Sequence, residues 1–307
     1  MLTATQIAAF QRDGYLVVDN VLDAGTIAGI RAEYAALLSG LIEGWGMTSS
    51  GDMEQDLIAA YRAGHDWFQP MDISLPAGDI AVDTPMHFGP AVFNMVTHPR
   101  LLDMVEDLIG PEITSNPIQH VRIKPPAGDL RQGEIRAHVG GTDWHQDRAV
   151  ALEEADETRM VTVWLAITDA TVENGCLQVA PRTPKMLPHC PQRQTAIAPG
   201  HLDTSDARPL PVRAGGAVIF DPMTPHASLE NHSDGIRWSF DLRYQVTGAP
   251  TGRPFFPEFV ARSRTRPETE LTDWRVWRGL WEDARARLAG GDAVDIHRWR
   301  ADAPACA

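Results

Sequence analysis

Positive charge is scarce in this chain of 307 residues: 27 Lys and Arg stand against 41 Asp and Glu, a formal net charge of -14. That balance disfavours nucleic acid and anionic membrane surfaces as partners, because both are bound through a positive field that releases counterions. It leaves room for a local basic pocket. Cysteine is nearly absent as well. The three present, Cys176, Cys190 and Cys306, cannot build a framework of bridges and match no zinc spacing, so a reducing cytoplasm fits best. No run of roughly eighteen apolar residues occurs, and the N-terminus lacks a basic segment followed by an apolar stretch. The closing Pro304-Ala305-Cys306-Ala307 carries neither a peroxisomal address nor a prenylation box. Neither export nor membrane insertion is expected. Repeats and low-complexity tracts are also missing.

What is present suits one globular domain spanning residues 1–307, with 43% hydrophobic residues and enough length to bury a full core. Thr3-Ala4-Thr5-Gln6 fits a capping box for a short helix, which Gly14 ends before an extended segment at 15–18. A second helix is expected at about 24–41, and helical spacing returns at 91–96 and 99–109, where Gly110-Pro111 stops it. Between them, residues 44–89 mix Gly, Ser, Asp and Pro with Trp45, Trp67 and Phe68, which suggests an irregular segment that serves as a lid. The pattern then changes to short alternating or β-branched runs at 118–124, 160–168, 176–180, 217–220, 226–231 and 236–245. These predict an antiparallel double-sheet barrel or jelly roll: a mainly β fold with flanking helices. Residues 1–115 form a helical flank, 116–248 the core and 249–307 a helical extension. In that extension Trp274, Trp277, Trp281, Ala284 and Leu288 share one helix face, as a core seam does, though a homodimer contact would look the same.

Metal chemistry enters with His-x-Asp. Eleven histidines among so many carboxylates should give roughly one or two such matches by chance; three occur, at His145/Asp147, His201/Asp203 and His232/Asp234. Context separates them. His201 and Asp203 lie among Pro199-Gly200 and Thr204-Ser205, a loop, and His232-Ser233-Asp234-Gly235 reads as a hairpin turn. His145 and Asp147, in Trp144-His145-Gln146-Asp147, are two apart on an expected strand and so share a side, where His226 could complete the set. Two imidazoles and one carboxylate leave three positions open on an octahedral ion, the arrangement of non-haem Fe(II) oxygenases. Arg237 lies in the apolar strand Ile236-Arg237-Trp238-Ser239-Phe240, where an inward guanidinium needs an anion and matches a carboxylate with two parallel bonds.

Taken in order, Arg122-Ile123-Lys124-Pro125-Pro126, His145-Gln146-Asp147, Val163-Trp164-Leu165-Ala166, Asn174-Gly175-Cys176-Leu177 and Pro225-His226 through Arg237 resemble the phytanoyl-CoA dioxygenase family. Its members are Fe(II)- and 2-oxoglutarate-dependent oxygenases, and the likeness runs from Phe10-Gln11-Arg12-Asp13-Gly14-Tyr15 to about Tyr244. The resemblance implies a double-stranded β-helix core, iron bound by His145, Asp147 and His226, and the distal carboxylate of 2-oxoglutarate held by Arg237. It further implies that Ser228 assists that carboxylate, that Trp164 lines the cosubstrate pocket, and that His120 lies near the cosubstrate on the first strand. One departure is Pro181-Arg182-Thr183-Pro184-Lys185, where the family commonly has Pro-Gly-Ser-His-Lys; a pocket-edge histidine is missing. Related halogenases replace the iron carboxylate by a small residue, whereas Asp147 is present, so oxidation is expected rather than halogenation.

The implied reaction consumes O2 and 2-oxoglutarate, releases succinate and CO2, and hydroxylates an unactivated C–H bond of a small molecule. Trp144, Gln146 and Arg148 beside the metal are the expected substrate contacts, and Arg131, Arg136 and Arg148 could receive an acidic group near the entrance. Two other readings stay open. One is a metal- or small-molecule-binding jelly roll without turnover, against which Arg237 argues. The other is a zinc hydrolase, for which Gln146 stands where a carboxylate base would be wanted.

Overall fold

The computed structural model describes residues 1–307 except 77, 192–193, 292–295, 297 and 307. Helices come first. The capping box at Thr3 and Gln6 starts α1 (Ala4–Asp13), and Gly14, at a φ of 78°, turns the chain into β1 (Tyr15–Val18). A Cβ on Gly14 would sit 2.3 Å from Thr224 Oγ1, whose hydroxyl donates to the Gly14 carbonyl at 2.7 Å. Only glycine allows that approach. Asp23 caps α2 (Ala24–Gly44) by accepting from the Thr26 amide. The expected irregular segment at 44–89 instead contains a helix, α3 (Met53–Arg62), and a single turn, α4 (Phe68–Met71). Asp52 caps α3 through the Glu54 and Gln55 amides, and Leu57, Ile58, Ala60 and Tyr61 are buried. Frequent turn residues around this short apolar face hid its helical period. Pro90 and Pro99 then open α5 (Pro90–Val96) and α6 (Pro99–Ile109), where a missing N–H costs nothing.

The core strands are β2 (Glu112–Lys124), β3 (Thr142–His145), β4 (Met160–Ala166), β5 (Leu177–Val179), β6 (His189–Pro191), β7 (Thr195–Ile197), β8 (Arg208–Leu210), β9 (Ala217–Phe220), β10 (His226–Ser228), β11 (Arg237–Val246) and β12 (Phe259–Ser263). A helical turn, α7 (Asp147–Val150), follows β3, and α8 (Trp274–Leu288) comes last. One six-stranded sheet runs β1-β9-β4-β11-β2-β12, a four-stranded sheet runs β3-β10-β5-β8, and β6-β7 make a hairpin. Every pairing is antiparallel. This is the expected jelly roll.

Strand alternation decides which side meets what. On β4 and β9, Val163, Leu165 and Ile219 pack with helix residues Tyr34 and Leu38, whereas Trp164, Ala166, Val218 and Phe220 pack with Leu177, Val179 and Leu210 of the smaller sheet. Strand β11 is the sharpest case. Trp238, Phe240, Leu242 and Tyr244 join the helical core, and the alternate residues Arg237, Ser239, Asp241, Arg243 and Gln245 are buried on the other face. That polar face is turned into the roll, not to water. On α8, Trp277, Trp281 and Ala284 are buried, with Trp274 and Leu288 packed at the edge, so the tryptophan stripe is a core seam.

The cysteines differ from expectation. Cys190 on β6 is bonded to Cys306, and Cys176 is the free, buried thiol. This bridge ties the C-terminal tail to the β6-β7 hairpin and removes the support that cysteine count gave to a reducing compartment. Among the described residues no helix is long and apolar enough to cross a membrane.

Candidate metal centre

His145 ends β3 directly opposite His226, the first residue of β10, and their ring centroids lie 4.2 Å apart. Asp147 joins them as expected for residues two apart on extended backbone. The ladder of β3 stops at His145 and Asp147 opens the turn of α7, but Gln146 between them is still extended, at a φ of -116° and a ψ of 133°, which keeps the two side chains on one side. Gln146 is fully buried and pins this stretch: its side-chain amide donates to Thr183 Oγ1 and to the Met223 carbonyl, both at 2.8 Å, and its side-chain carbonyl accepts from the Leu187 amide at 2.7 Å. One donor atom from each of His145, Asp147 and His226 lies within 4.8 Å of the others, and all three residues are buried.

Their protonation is set by local bonds. His145 Nδ1 lies 2.9 Å from the Asp143 carbonyl and His226 Nδ1 lies 3.0 Å from the Thr224 carbonyl. A carbonyl only accepts, so each Nδ1 carries a proton and Nε2 is the nitrogen of each ring left for a metal. Burial, reinforced by the neighbouring His226, holds the His145 imidazole well below its usual pKa, hence neutral. For Asp147 burial pushes the carboxyl up, but the Arg243 guanidinium and the two imidazoles outweigh it and keep the group ionised far below the usual range. Arg243 Nη2 donates to Asp147 Oδ1, while Oδ2 is buried without a partner. A buried anionic oxygen without a hydrogen bond, on a carboxylate that has the Nε2 atoms of His145 and His226 at 3.7 and 3.9 Å, is costly unless a cation joins the three groups. The donor set suits Fe(II).

A narrow slot leads inward from these residues, lined by Trp164, Phe220, Ser228, Arg237, Arg122 and Asp241 among others. Arg237 is completely buried; Nη1 donates to Ser239 Oγ at 2.6 Å, but Nε and Nη2 have no partner. Burial drags its pKa down to about 9, so it remains a cation at neutral pH. Its guanidinium stands 5.3 Å from the Trp164 ring centroid. Across the β2-β11 register Arg237 faces Lys124, and Ser239 faces Arg122. Lys124 is also completely buried, donates to Ser228 Oγ, and is held well below its usual pKa by burial and by Arg237. Ser228 Oγ in turn accepts from the Thr142 amide at 2.9 Å.

A second cavity of about 640 Å³ opens on the other side of His145, walled by Phe68, Leu75, Ile118, His120, His138 and Phe256 among others. Residues of the expected lid form one wall, anchored by bonds from Tyr34 Oη to the Met71 carbonyl and from Gln119 to the Ile73 carbonyl. His120 belongs here rather than to the slot: it lines this chamber, and its Nδ1 pairs with Asp72 Oδ2 at 2.9 Å.

Trp144, Gln146 and Arg148, the expected substrate contacts, line neither the slot nor the chamber. Trp144 points to the outer face of the smaller sheet, beside Gln178 and Glu230, because the residue before an inward His145 must face out. Gln146 is the brace described above, and Arg148 is buried with Nη2 donating to the Thr158 carbonyl at 2.7 Å. Arg131 donates to the Tyr61 and His65 carbonyls, and Arg136 pairs with Glu134 and Asp66. In the departing loop Thr183 receives Gln146, and Arg182 pairs with Asp221. Both alternative His-x-Asp matches are loop residues outside the triad. Sequence reasoning missed Lys124, Arg243 and Asp241. The signal was there in the strict polar-apolar alternation of 237–246, whose polar side the buried position of Arg237 already marked as inward.

A jelly roll with two imidazoles and one carboxylate at its mouth belongs, by fold and donor set, with the non-haem iron oxygenases. Residues 10–239, about three quarters of the chain, match the profile of the phytanoyl-CoA dioxygenase (PhyH) family, and the chain belongs to that family. A Caenorhabditis elegans protein named as a probable phytanoyl-CoA dioxygenase is 24% identical over 258 residues, covering 80% of this chain and 75% of the relative. Among solved structures, the non-heme monooxygenase ThoJ, in its apo form, aligns with a TM-score of 0.62 at 20% identity, over 92% of this chain and 95% of its own. The epimerase SnoN, in complex with Fe3+, alpha ketoglutarate and nogalamycin RO, aligns at 0.54 and 21% identity, over 81% and 86%. These likenesses establish the fold.

Proposed function

We propose that this protein is an Fe(II)- and 2-oxoglutarate-dependent oxygenase that hydroxylates an unactivated C–H bond of a small organic molecule. The observation that carries this reading is the pairing of the buried triad with Arg237 in one slot, two of whose guanidinium nitrogens lack any partner. A cation buried this way is stabilised only by an anion brought to it. A dicarboxylate that chelates a metal through one end presents its other end to such a group.

His145, Asp147 and His226 would hold the iron; all three line the slot, and His145 lines the chamber as well. Bound there, iron supplies the redox chemistry by which O2 and 2-oxoglutarate become succinate and CO2 while a C–H bond is oxidised. Arg237 fixes the far carboxylate, with Ser228 and Lys124 beside it, and Trp164 closes the slot against water. Arg243 occupies one oxygen of Asp147 and so leaves only the other for the metal. A zinc hydrolase would want a free carboxylate base in the slot. Asp241 is there but is tied to Arg122, and Gln146 is turned away.

Anaerobic titration with Fe(II) and then 2-oxoglutarate tests the proposal. A weak visible charge-transfer band is expected, followed in air by succinate release that Asp147→Ala abolishes. An intact fold without the band sinks it.

A further inference from the structure

Which molecule is oxidised can be narrowed by the electrostatics of the chamber, an inference that rests on the oxygenase reading above. The chamber, about 640 Å³, is large enough for a drug-sized molecule and has largely apolar walls, including Phe68, Leu75, Ile118, Val150 and Phe256. Phe68 stacks on His138 with centroids 4.4 Å apart, and His138 lies 4.7 Å from His120, which makes one wall a run of rings. Burial holds His138 well below its usual pKa, so that wall brings no charge from it.

Four arginines line the chamber among the described residues, and three are paired with carboxylates, Arg122 with Asp241, Arg136 with Glu134 and Asp66, and Arg243 with Asp147, although Arg122 Nη1 and Arg243 Nε keep no partner of their own. The fourth, Arg253, spends its terminal nitrogens on the Gly252 and Val150 carbonyls, each at 2.7 Å. Asp72 and Asp79 add negative charge to the same walls. Among the described residues the carboxylates on these walls or paired to them, Asp66, Asp72, Asp79, Glu134, Asp147 and Asp241, outnumber the four guanidiniums, so an incoming anion would lose its hydration and meet a net negative field. The slot, by contrast, keeps two unpartnered nitrogens on Arg237.

We propose that the molecule oxidised is uncharged and largely apolar, enters the chamber free, and is not a CoA thioester or other polyanion. The matched probes are N-phenyl-1-naphthylamine and 8-anilinonaphthalene-1-sulfonate, which share a skeleton and differ by one sulfonate. Both are titrated by fluorescence into the full chain loaded with Zn(II) and 2-oxoglutarate. The neutral probe is expected to bind at one site at least tenfold more tightly than the sulfonate. Its affinity should fall at least tenfold in Val150→Trp and in Ile296→Trp, two chamber-lining positions. Decanol should displace it at lower concentration than decanoyl-CoA. Preference for the sulfonate, stronger displacement by the CoA ester, or binding insensitive to both tryptophans would each overturn the assignment. The charge-transfer band measured with Fe(II) on the same preparation keeps the two readings apart: its absence condemns the oxygenase, whereas its presence with sulfonate preference condemns only the charge assignment.

Discussion

The slot and the chamber share Arg122, Thr142 and His145 as a common wall, yet they handle charge in opposite ways. In the slot the protein buries Arg237 with Nε and Nη2 both unspent; in the chamber its guanidiniums are paired with its own carboxylates or carbonyls, leaving over a single nitrogen each on Arg122 and Arg243. The lesson is that an arginine's presence says little about ligand charge until its partners are counted. An unspent guanidinium is a receptor, and a spent one is scaffolding.

The largest expected effect comes from emptying the receptor. Arg237→Met should weaken 2-oxoglutarate by about 2–5 kcal/mol, roughly thirtyfold to several thousandfold. The same change removes an unpaired buried cation, so the ligand-free protein should melt at a higher temperature than the parent. Titration of the charge-transfer band and thermal melts read the two arms; a threefold loss of affinity or less would show that the slot does not work this way. Next comes Arg243→Met, which frees both Asp147 oxygens for one metal. Metal should still bind, but 2-oxoglutarate should weaken on the order of tenfold, with a Co(II) visible spectrum shifted toward higher coordination. An unchanged spectrum would leave Arg243 a packing residue only.

Ligand addition separates the cavities without mutation. With metal present, 2-oxoglutarate at about one hundred times its Kd should add about 2.7 kcal/mol, a shift of about 5 °C, and EDTA should reverse it. A shift of equal size without metal would contradict chelation at the triad. The smallest effect concerns the tail, where Ile296 lines the chamber and Cys306 is clasped to Cys190. Cys306→Ser should weaken a chamber-bound neutral probe about threefold and leave 2-oxoglutarate affinity unchanged. A change in 2-oxoglutarate binding of the same size would mean that the two cavities are not independent.

Much of this was legible in the residues because the relevant signals are local. The capping box at Thr3, the proline openings of α5 and α6, and the tryptophan stripe of α8 depend on short-range spacing, and each element formed where spacing placed it. The triad was legible because loop context disqualified the two competing matches. What stayed hidden depends on partners far apart in sequence. Arg148 and Gln146 look like site residues beside a metal histidine, yet their bonds run to Thr158, Thr183 and Met223. The Cys190–Cys306 bridge spans 116 residues, which no local pattern announces. Helix α3 was missed because the turn formers Ser49, Ser50, Gly51 and Gly64 flank it, although Met53–Arg62 is itself rich in helix formers behind the Asp52 cap.

The contact between Gly14 and Thr224 makes the very start of the chain a strut for the metal. Thr224 accepts the Nδ1 proton of His226, so whatever displaces Thr224 also swings that imidazole. Gly14→Val should therefore lower iron occupancy at a position that touches no ligand, measurable as a weaker Fe(II) dissociation constant with the rest of the site intact. Iron loading would then act as a readout of whether the N-terminal turn has docked, so that the earliest residues of the chain control the readiness of one of its latest ligands.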